Sequence, residues 1–464
     1  MATITAWLDA AAPVIERAAT NLFMPYVVVA LMGTAIFLTI RLGAVQLRRI
    51  REAFRAMLAG QQAGAGGVLS PFQAFMTALA TSIGTGNIAG VATAIISGGP
   101  GALFWIWVFG LFAAATKFAE ATLGLRFREV LDDHTRTGPM YYLRDGLGKP
   151  WLAWVYALVA GVAALTTTPF TQPNSIAVVW KSEFAVPTWV TGVIVAILTW
   201  LVIIGGVKSI GRVMEKLAPV KVGLYLMGGL IVLISFADEL PRTLALVFRE
   251  AFAMDSALGF GMFIAIRYGI ARGVYATEAG YGTAAVAYGT AKSERPSQQG
   301  LQAVMEVFIV CFITATISAL TILVTGVAMR SIEAGPDGAA YLTSTAAVAS
   351  AFDSAMPVVG GWIVAFCAFL FGYGTLIGWA YYGEQFLEYI VGRSVAVPYR
   401  WIYCLLIPFG AIARVDLVWA WGDFMNALQV FPNVIGLLGL SGIVAKFAFD
   451  RSSRLPASGS RPES

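Results

Sequence analysis

The chain has 464 residues, of which 58% are hydrophobic and only 12% are charged, and its mean hydropathy is +0.76. A soluble protein carries about 25% charged residues on its surface and in its loops, so this composition excludes an ordinary soluble enzyme, a disordered protein and a nucleic-acid-binding protein. Three scattered cysteines and a single histidine, His134, provide neither a disulfide framework nor a metal-ligand cluster. The composition therefore predicts an all-α polytopic membrane protein.

The predicted membrane spans follow from apolar stretches of about 20 residues. We expect one transmembrane domain at 22–447, between an extracytoplasmic N-terminal segment at 1–21 and a disordered cytoplasmic tail at 448–464. The eleven predicted spans cover roughly 22–40, 70–97, 101–123, 151–180, 188–206, 217–236, 258–290, 300–327, 357–382, 399–416 and 424–447.

The basic residues favour one orientation in the membrane. With the N-terminus outside, 22 of the 31 Lys and Arg residues, Lys221 among them, are assigned to the cytoplasmic side, six to the outer side and three to spans. Because positive loops stay in the cytoplasm, we expect the N-terminus outside and the C-terminus inside. The net charge of +5 then reflects topology in a lipid membrane and gives no sign of a nucleic-acid partner.

Two spans contain glycine and polar residues where a membrane helix should be apolar. They lie at 84–90 in the second span and around Thr277 and Glu278 in the seventh. A glycine destabilises a helix by about 1 kcal/mol, and unpaired polar groups at membrane depth cost more. We therefore expect an unwound segment in each span, with close helix packing as the alternative. The GxGxxA match at 84–89 lacks the strand–turn–helix context of a dinucleotide site.

The spacing of these two spans indicates an inverted repeat. Each would begin a five-helix half, at about 70–236 and 258–447, and the two halves would enter the membrane from opposite sides. Secondary transporters hold substrate and ions at such paired breaks. A channel would need charge rings or a carbonyl filter, and a membrane enzyme would need a metal or nucleophile constellation. The chain shows neither pattern.

These residues also resemble a known family, the alanine/glycine:cation symporters. The resemblance implies a leucine-transporter-type fold and import of small neutral amino acids, chiefly alanine and glycine, across the cell membrane with sodium and without an enzymatic cofactor. The motifs that carry it are GTGNIAG (84–90), GGPGALFWIW (98–107), GPMYYLRDGLG (138–148), QPNSIA (172–177), ATEAG (276–280), EVFI (306–309) and LIGWAYYGEQFLEYIVG (376–392).

The resemblance further implies roles for single residues. Asn87 is implied to offer its side-chain oxygen to sodium, and the carbonyls of Ala80 and Ile83 to face a second cation position opposite Thr375. For the pocket residues, core packing of Trp379 and interhelical hydrogen bonding of the polar residues are the alternatives. The implied substrate site comprises Gly84, Thr85, Gly86, Gln172, Asn174, Thr277 and Trp379.

Three positions depart from the family pattern and leave the coupling ion open. Thr277 replaces an asparagine, Val310 an aspartate and Gly374 a serine. Val310 removes a carboxylate and Gly374 removes a hydroxyl, and hard cations bind more weakly to fewer oxygens. Proton-coupled or weakly coupled amino-acid transport is therefore the alternative to sodium symport, and the preferred amino acid is open as well.

Charged residues near the spans give further hypotheses. Lys117 and Glu120 are spaced i, i+3 on one helix and should pair, either as a gate or as a structural ion pair. Arg267 and Arg272 could meet Glu278 or an acidic residue near the outer side, again as a gate or as a structural pair. The residues expected to be solvated near the cytoplasm are Glu384, Glu388 and His134.

Overall fold

The computed structural model describes residues 26–58, 66–131, 134–254, 261–335, 342 and 344–450. The predicted N-terminal segment at 1–21, and residues 451–464 of the predicted tail, lie outside the described residues. The described chain is almost entirely helical, as predicted, with one antiparallel pair of short strands, β1 (Glu129–Val130) and β2 (Thr135–Arg136).

The first half of the described chain contains the helices up to the sixth predicted span. Tight 3-10 or π turns connect some of them, at Thr85–Asn87, Tyr142–Gly146 and Ala237–Glu239. The helices are α1 (Val28–Arg41), α2 (Val45–Arg48), α3 (Ile50–Leu58), α4 (Pro71–Ser82), α5 (Ala89–Gly98), α6 (Ala102–Arg126), α7 (Pro139–Tyr141), α8 (Pro150–Thr166), α9 (Thr168–Phe184), α10 (Thr188–Ile203), α11 (Gly206–Ser235) and α12 (Leu240–Ala251).

The second half begins with the seventh predicted span. A π turn at Phe308–Thr314 and a 3-10 turn at Arg393–Val395 connect some of its helices. These helices are α13 (Met262–Thr277), α14 (Thr283–Gly289), α15 (Pro296–Val307), α16 (Ala315–Val324), α17 (Val327–Ala334), α18 (Ser344–Ala355), α19 (Val359–Val391), α20 (Ala396–Ile412), α21 (Val415–Gly439) and α22 (Ser441–Phe449).

The helices are apolar enough for a multi-pass membrane protein. Among the described residues, six helical stretches are long and apolar enough to cross a membrane, and two sharply bent pairs raise the number to eight. Two shorter apolar helices, α1 and α10, accompany them. The multi-pass membrane class is thus confirmed, whereas the number of eleven spans stays a prediction.

One helix is longer than the sequence indicated, and it carries a buried lysine. The predicted sixth span starts at 217, but α11 starts at Gly206 and runs to Ser235. Lys221 therefore lies in the body of α11 and is completely buried. Counting it with the cytoplasmic loop charges was wrong, because Lys221 lies inside a helix, within the predicted span 217–236 as well, and is buried.

Candidate substrate and cation site

The second predicted span is broken at the expected place. α4 ends at Ser82, a tight turn covers Thr85–Asn87, and the two helical halves meet at an angle of 60°. Gly84 allows the unwound backbone to approach α19 closely. A β-carbon there would lie 2.5 Å from Thr375 Oγ1, which is closer than a real β-carbon can come.

The seventh predicted span is broken as well. α13 ends at Thr277 and α14 begins at Thr283. Between them, Glu278, Gly280 and Gly282 have φ angles of 54°, 93° and 84°. Glycine adopts such left-handed conformations readily, whereas glutamate seldom does. The segment is therefore a true interruption of the helix, and its backbone groups need partners from elsewhere in the protein.

Glu120 of α6 supplies partners for this second break. Its Oε1 accepts hydrogen bonds from the backbone N–H of Gly280 at 2.9 Å and of Gly282 at 3.0 Å. Asn433 donates to the same oxygen and to the carbonyl of Gly280, both at 2.8 Å. Unwound backbone at membrane depth must be satisfied by protein. The predicted pairing of Glu120 with Lys117 was wrong, because local i, i+3 spacing did not reveal this distant partner.

Lys117 pairs instead with Glu306. The distance from Nζ to Oε1 is 2.9 Å, and both side chains are buried. The same carboxylate accepts hydrogen bonds from the Ser82 hydroxyl and, at 2.9 Å, from the Tyr288 hydroxyl. Since Ser82 ends α4 and Tyr288 lies in α14, Glu306 joins the two broken spans. Sequence reasoning did not single it out, although a carboxylate within an apolar span is a functional signal.

A small cavity lies between the two breaks. Its volume is about 20 Å³, which leaves room for about one water molecule. An amino acid can therefore enter only when the surrounding side chains move apart. The lining residues are Thr81, Ser82, Gly84, Gly86, Asn87, Thr167, Thr168, Gln172, Tyr275, Glu278, Tyr281, Thr375, Trp379 and Asn426.

The structure brings most of the predicted pocket residues to this cavity, and Thr85 joins them through a hydrogen bond. The side-chain oxygen of Gln172 accepts from the backbone N–H of Thr85 at 3.1 Å and from its hydroxyl at 2.9 Å. Two donors of the unwound turn thus converge on one oxygen atom. The arrangement can bind an oxygen ligand, with Gln172 occupying that position here.

Trp379 of α19 is nearly completely buried and forms another wall of the cavity. Its Nε1 donates to Glu278 Oε1 at 2.7 Å, and Thr283 donates to Glu278 Oε2 at 2.8 Å. The Glu278 carboxylate thereby ties α19 to the second break. Arg272, predicted to meet Glu278 or an outer acid, lies within electrostatic reach of the half-buried Asp423 in α21.

Asn87 presents an oxygen atom without a protein partner. The side-chain Nδ2 donates to the backbone carbonyl of Ser82 at 2.9 Å, and the backbone carbonyl of Asn87 accepts from Ser318 Oγ at 2.7 Å. Within the described part of the chain, the buried Oδ1 has no hydrogen-bond partner. Since buried polar groups in proteins are nearly always satisfied, this oxygen is available to a bound cation or a water molecule.

The predicted second cation position is arranged differently. The ammonium of Lys221 donates to the carbonyl oxygens of Ala80 and Ile83, both at 2.6 Å. The Thr375 hydroxyl donates to the carbonyl of Thr81 at 2.7 Å. The two carbonyls expected to face a free cation therefore bind a side-chain amine of the protein itself.

Besides Thr85, two predicted pocket residues do not line the cavity. Asn174 donates to the carbonyls of Gly410 at 3.2 Å and Ala413 at 2.8 Å, at the end of α20. Thr277 donates to the carbonyl of Gly273 at 2.8 Å. Their side chains bond to helix carbonyls in this state, and their place in the substrate site stays a prediction. For Asn174 this is the alternative of interhelical hydrogen bonding.

The acidic residues that follow the cavity on α19 are buried rather than solvated. Glu384 and Glu388 are each 3% exposed, and the expectation of solvated residues, including His134, was wrong. Positive partners from other segments compensate for their burial. The hydrogen bond to Glu388 is the main cause that raises the pKa of Arg136, which lies in β2. The cluster pairs Glu384 with Arg393 and Arg400, and Glu388 with His134, Arg136 and Arg393.

The comparison with known families agrees with this geometry. The model of the Sodium:alanine symporter family matches residues 8–462. The chain belongs to this family. It is therefore a membrane transporter rather than an enzyme, and its general activity is cation-coupled symport of an amino acid.

Two named relatives match nearly the whole chain. The sodium/alanine symporter AgcS of Methanococcus maripaludis is 39% identical over 426 residues, which cover 90% of this chain and 92% of that protein. The amino-acid carrier protein AlsT of Bacillus subtilis is 32% identical over 425 residues, covering 91% of this chain and 88% of that protein.

Solved structures support the same class of fold. The Eremococcus coleocola manganese transporter superposes with a TM-score of 0.53 at 14% identity, over 79% of both chains. At this identity the likeness concerns the fold alone. The symporter therefore shares a general transporter architecture with a protein that moves a different cargo.

Proposed function

We propose that this symporter imports alanine or glycine together with sodium by alternating access, and that both bind between the two helix breaks. The observation that carries the proposal is the small cavity, where donors of the first break, the open oxygen of Asn87 and the ring of Trp379 meet. The Methanococcus relative is named a sodium/alanine symporter, which supports the same substrate and ion here.

The substrate carboxylate would bind at the first break. Thr85 directs its backbone N–H and hydroxyl to one oxygen atom, which Gln172 supplies in this state. A carboxylate forms stronger hydrogen bonds than a neutral amide oxygen. The amino-terminal end of a helix also carries free N–H groups that favour an anion. Gly84 and Gly86 let Thr375 and Tyr275 pack directly against the backbone of this turn. The carboxylate would take the place of the Gln172 oxygen.

The size of the substrate would be limited by Trp379. Its indole is fixed by the hydrogen bond to Glu278 and is nearly completely buried. Because a close-packed wall gives way only at a free-energy cost, a methyl side chain should fit beside the indole better than an isobutyl one. Alanine and glycine are therefore the expected substrates, ahead of leucine.

Sodium would bind at Asn87. Its buried Oδ1 lacks a protein partner, and oxygen atoms are the usual ligands of hard cations. An oxygen of the bound carboxylate could complete the coordination, because Thr85 and Asn87 belong to the same turn. Shared coordination of this kind would make substrate and sodium bind together, which is the basis of symport.

The overall arrangement completes the proposal. The two broken spans would begin inverted repeats at about 70–236 and 258–447, in a single transmembrane domain at 22–447 of the cell membrane. The N-terminus would face outward and the C-terminus the cytoplasm, in keeping with the positive residues near the inner side. Lipid surrounds the exposed apolar faces, and no nucleic-acid partner is proposed.

Proton-coupled transport is the second candidate, because one observation favours it. Lys221 places a group that can gain or lose a proton on the carbonyls of Ala80 and Ile83. A proton gradient could then drive transport without a sodium ion bound at these two carbonyls.

Uptake by purified protein in liposomes distinguishes these candidates. Labelled alanine should enter faster with an inward sodium gradient than with choline, and unlabelled glycine should compete better than leucine. Uptake driven by a proton gradient and indifferent to sodium would favour the second candidate. No uptake of alanine or glycine under either gradient would contradict the substrate assignment.

The role of Asn87 needs a matched pair of variants. Asn87→Ala removes the open side-chain oxygen and should abolish the stimulation by sodium. Asn87→Asp keeps an oxygen ligand and should retain the stimulation in part. Equal sodium dependence in the wild-type protein and in Asn87→Ala would show that sodium does not bind there.

A further inference from the structure

A buried lysine takes up the carbonyl groups at the interrupted end of α4. Lys221 of α11 is completely buried, and its Nζ lies 2.6 Å from the carbonyl oxygens of both Ala80 and Ile83. The last carbonyls of a helix have no partner within the helix and carry partial negative charge. They therefore form a ready cation site, and here an ammonium group binds to them.

The surroundings of Lys221 Nζ resemble those of a bound cation. Its Nζ lies 5.3 Å from the centre of the Phe371 ring, a distance at which an aromatic face attracts positive charge. Among the described residues, no carboxylate forms a salt bridge with Lys221. The other buried lysine, Lys117, differs because it is paired with Glu306.

The facing helix leaves no room for a larger side chain beside the lysine. At Gly374 of α19, an added β-carbon would lie 2.7 Å from Lys221 Nζ and 2.9 Å from the carbonyl oxygen of Ala80. A side-chain hydroxyl at this position would therefore occupy the space that the ammonium fills. The neighbouring hydroxyl of Thr375 is already donated to the carbonyl of Thr81.

We propose that the ammonium of Lys221 is a built-in cation that replaces a second sodium ion at Ala80 and Ile83. Transported sodium then binds at Asn87 and not at the end of α4. The count of one transported sodium rests on the proposed function, whereas occupancy of the second position by the lysine does not. This assignment also gives Gly374 a reason, since a larger residue there would collide with the ammonium.

The replacement changes what happens during transport. A free sodium ion would leave the end of α4 when the site opens, whereas a tethered ammonium stays with α11. The positive charge at this helix end is then not released with the substrate and does not count among the transported ions. The symporter should accordingly carry fewer sodium ions per amino acid than a relative in which the same carbonyls bind a free ion.

Counting bound sodium in the presence of saturating alanine tests the proposal. Radioactive sodium binding to the purified protein should then give about one ion per chain for the wild type. Lys221→Met with Gly374→Ser removes the ammonium and adds a hydroxyl, so this double variant should bind about two. Lys216→Met removes an exposed lysine from the same helix and should leave the count at about one.

The Asn87→Ala variant separates the sodium position at Asn87 from the position at the carbonyls of Ala80 and Ile83. With Asn87→Ala, the chain that keeps Lys221 should bind no sodium, and the chain that also carries Lys221→Met and Gly374→Ser should bind about one. Two sodium ions on the wild type would overturn the proposal. So would an unchanged count in a double variant that remains monodisperse in detergent.

The test survives poor folding of the double variant. In that case the Asn87→Ala protein, which keeps Lys221, is measured alone. Specific sodium binding to it contradicts the proposal, and the absence of sodium binding supports the proposal. Failure of alanine transport would refute the proposed function and would leave the sodium counts as a separate result.

Discussion

Removing the Glu306 carboxylate gives a prediction whose size follows from the structure. Lys117 and Glu306 are 1% and 0% exposed, and Glu306 also accepts hydrogen bonds from Ser82 and Tyr288. The Glu306→Gln variant keeps the shape of the side chain but leaves the ammonium of Lys117 buried without its counter-charge. Breaking one side of a buried ion pair costs about 3–5 kcal/mol. We expect the free energy of unfolding to fall by that amount.

Equilibrium unfolding in mixed detergent, followed by tryptophan fluorescence, measures this change. The double variant Lys117→Met/Glu306→Gln removes the buried charge altogether and should recover most of the loss. Glu239→Gln is a matched control, because its partner Arg242 is 4.0 Å away and both are exposed. Such pairs contribute below about 1 kcal/mol. A stable Glu306→Gln variant, or a double variant no more stable than Glu306→Gln, would refute the reasoning.

Three further substitutions test the walls of the site. Trp379→Ala should allow leucine to compete with labelled alanine for uptake; continued exclusion of leucine would show that the indole does not limit substrate size. Glu120→Ala leaves two backbone N–H groups of the second break without an acceptor, at about 1–3 kcal/mol each, so thermal unfolding should occur at a markedly lower temperature. Gly84→Ala should abolish alanine binding measured by scintillation, because its β-carbon would collide with Thr375 Oγ1; binding as tight as in the wild type would argue against the close approach.

The sequence predicted the helix breaks because their cause is local. Gly84, Gly280 and Gly282 stand where the backbone leaves helical geometry, and glycine has a lower helix propensity than the apolar residues around it. Composition alone likewise indicated an all-helical membrane protein. The family resemblance placed Gln172 and Trp379 near the breaks, and both line the cavity.

The partners of the buried charges could not be predicted, because they come from distant parts of the chain. Glu120 bonds backbone groups 160 and 162 residues away, and Lys117 meets Glu306 at a separation of 189. Spacing along one helix favoured a Lys117–Glu120 pair, which is equally reasonable on local grounds. Only the packing of α6 against α14 and α15 decides between them.

Lys221 shows a second limit of the sequence. Its helix carries polar residues in the first turns, so hydropathy placed the start of the span at 217 and the lysine near the cytoplasm. The structure starts the helix at Gly206 and brings Lys221 to the end of α4. The missing hydroxyl at Gly374 was visible in the sequence, but the reason for its absence needed the position of the ammonium.

A structure of the symporter with alanine and sodium, determined by cryo-electron microscopy, tests the central claim most directly. We expect the alanine carboxylate at the N–H and hydroxyl of Thr85, with Gln172 displaced and the methyl group toward Trp379. Sodium should contact Asn87 Oδ1, and Lys221 should remain on the carbonyls of Ala80 and Ile83. Alanine bound away from both helix breaks, or sodium between Ala80 and Ile83, would contradict this account.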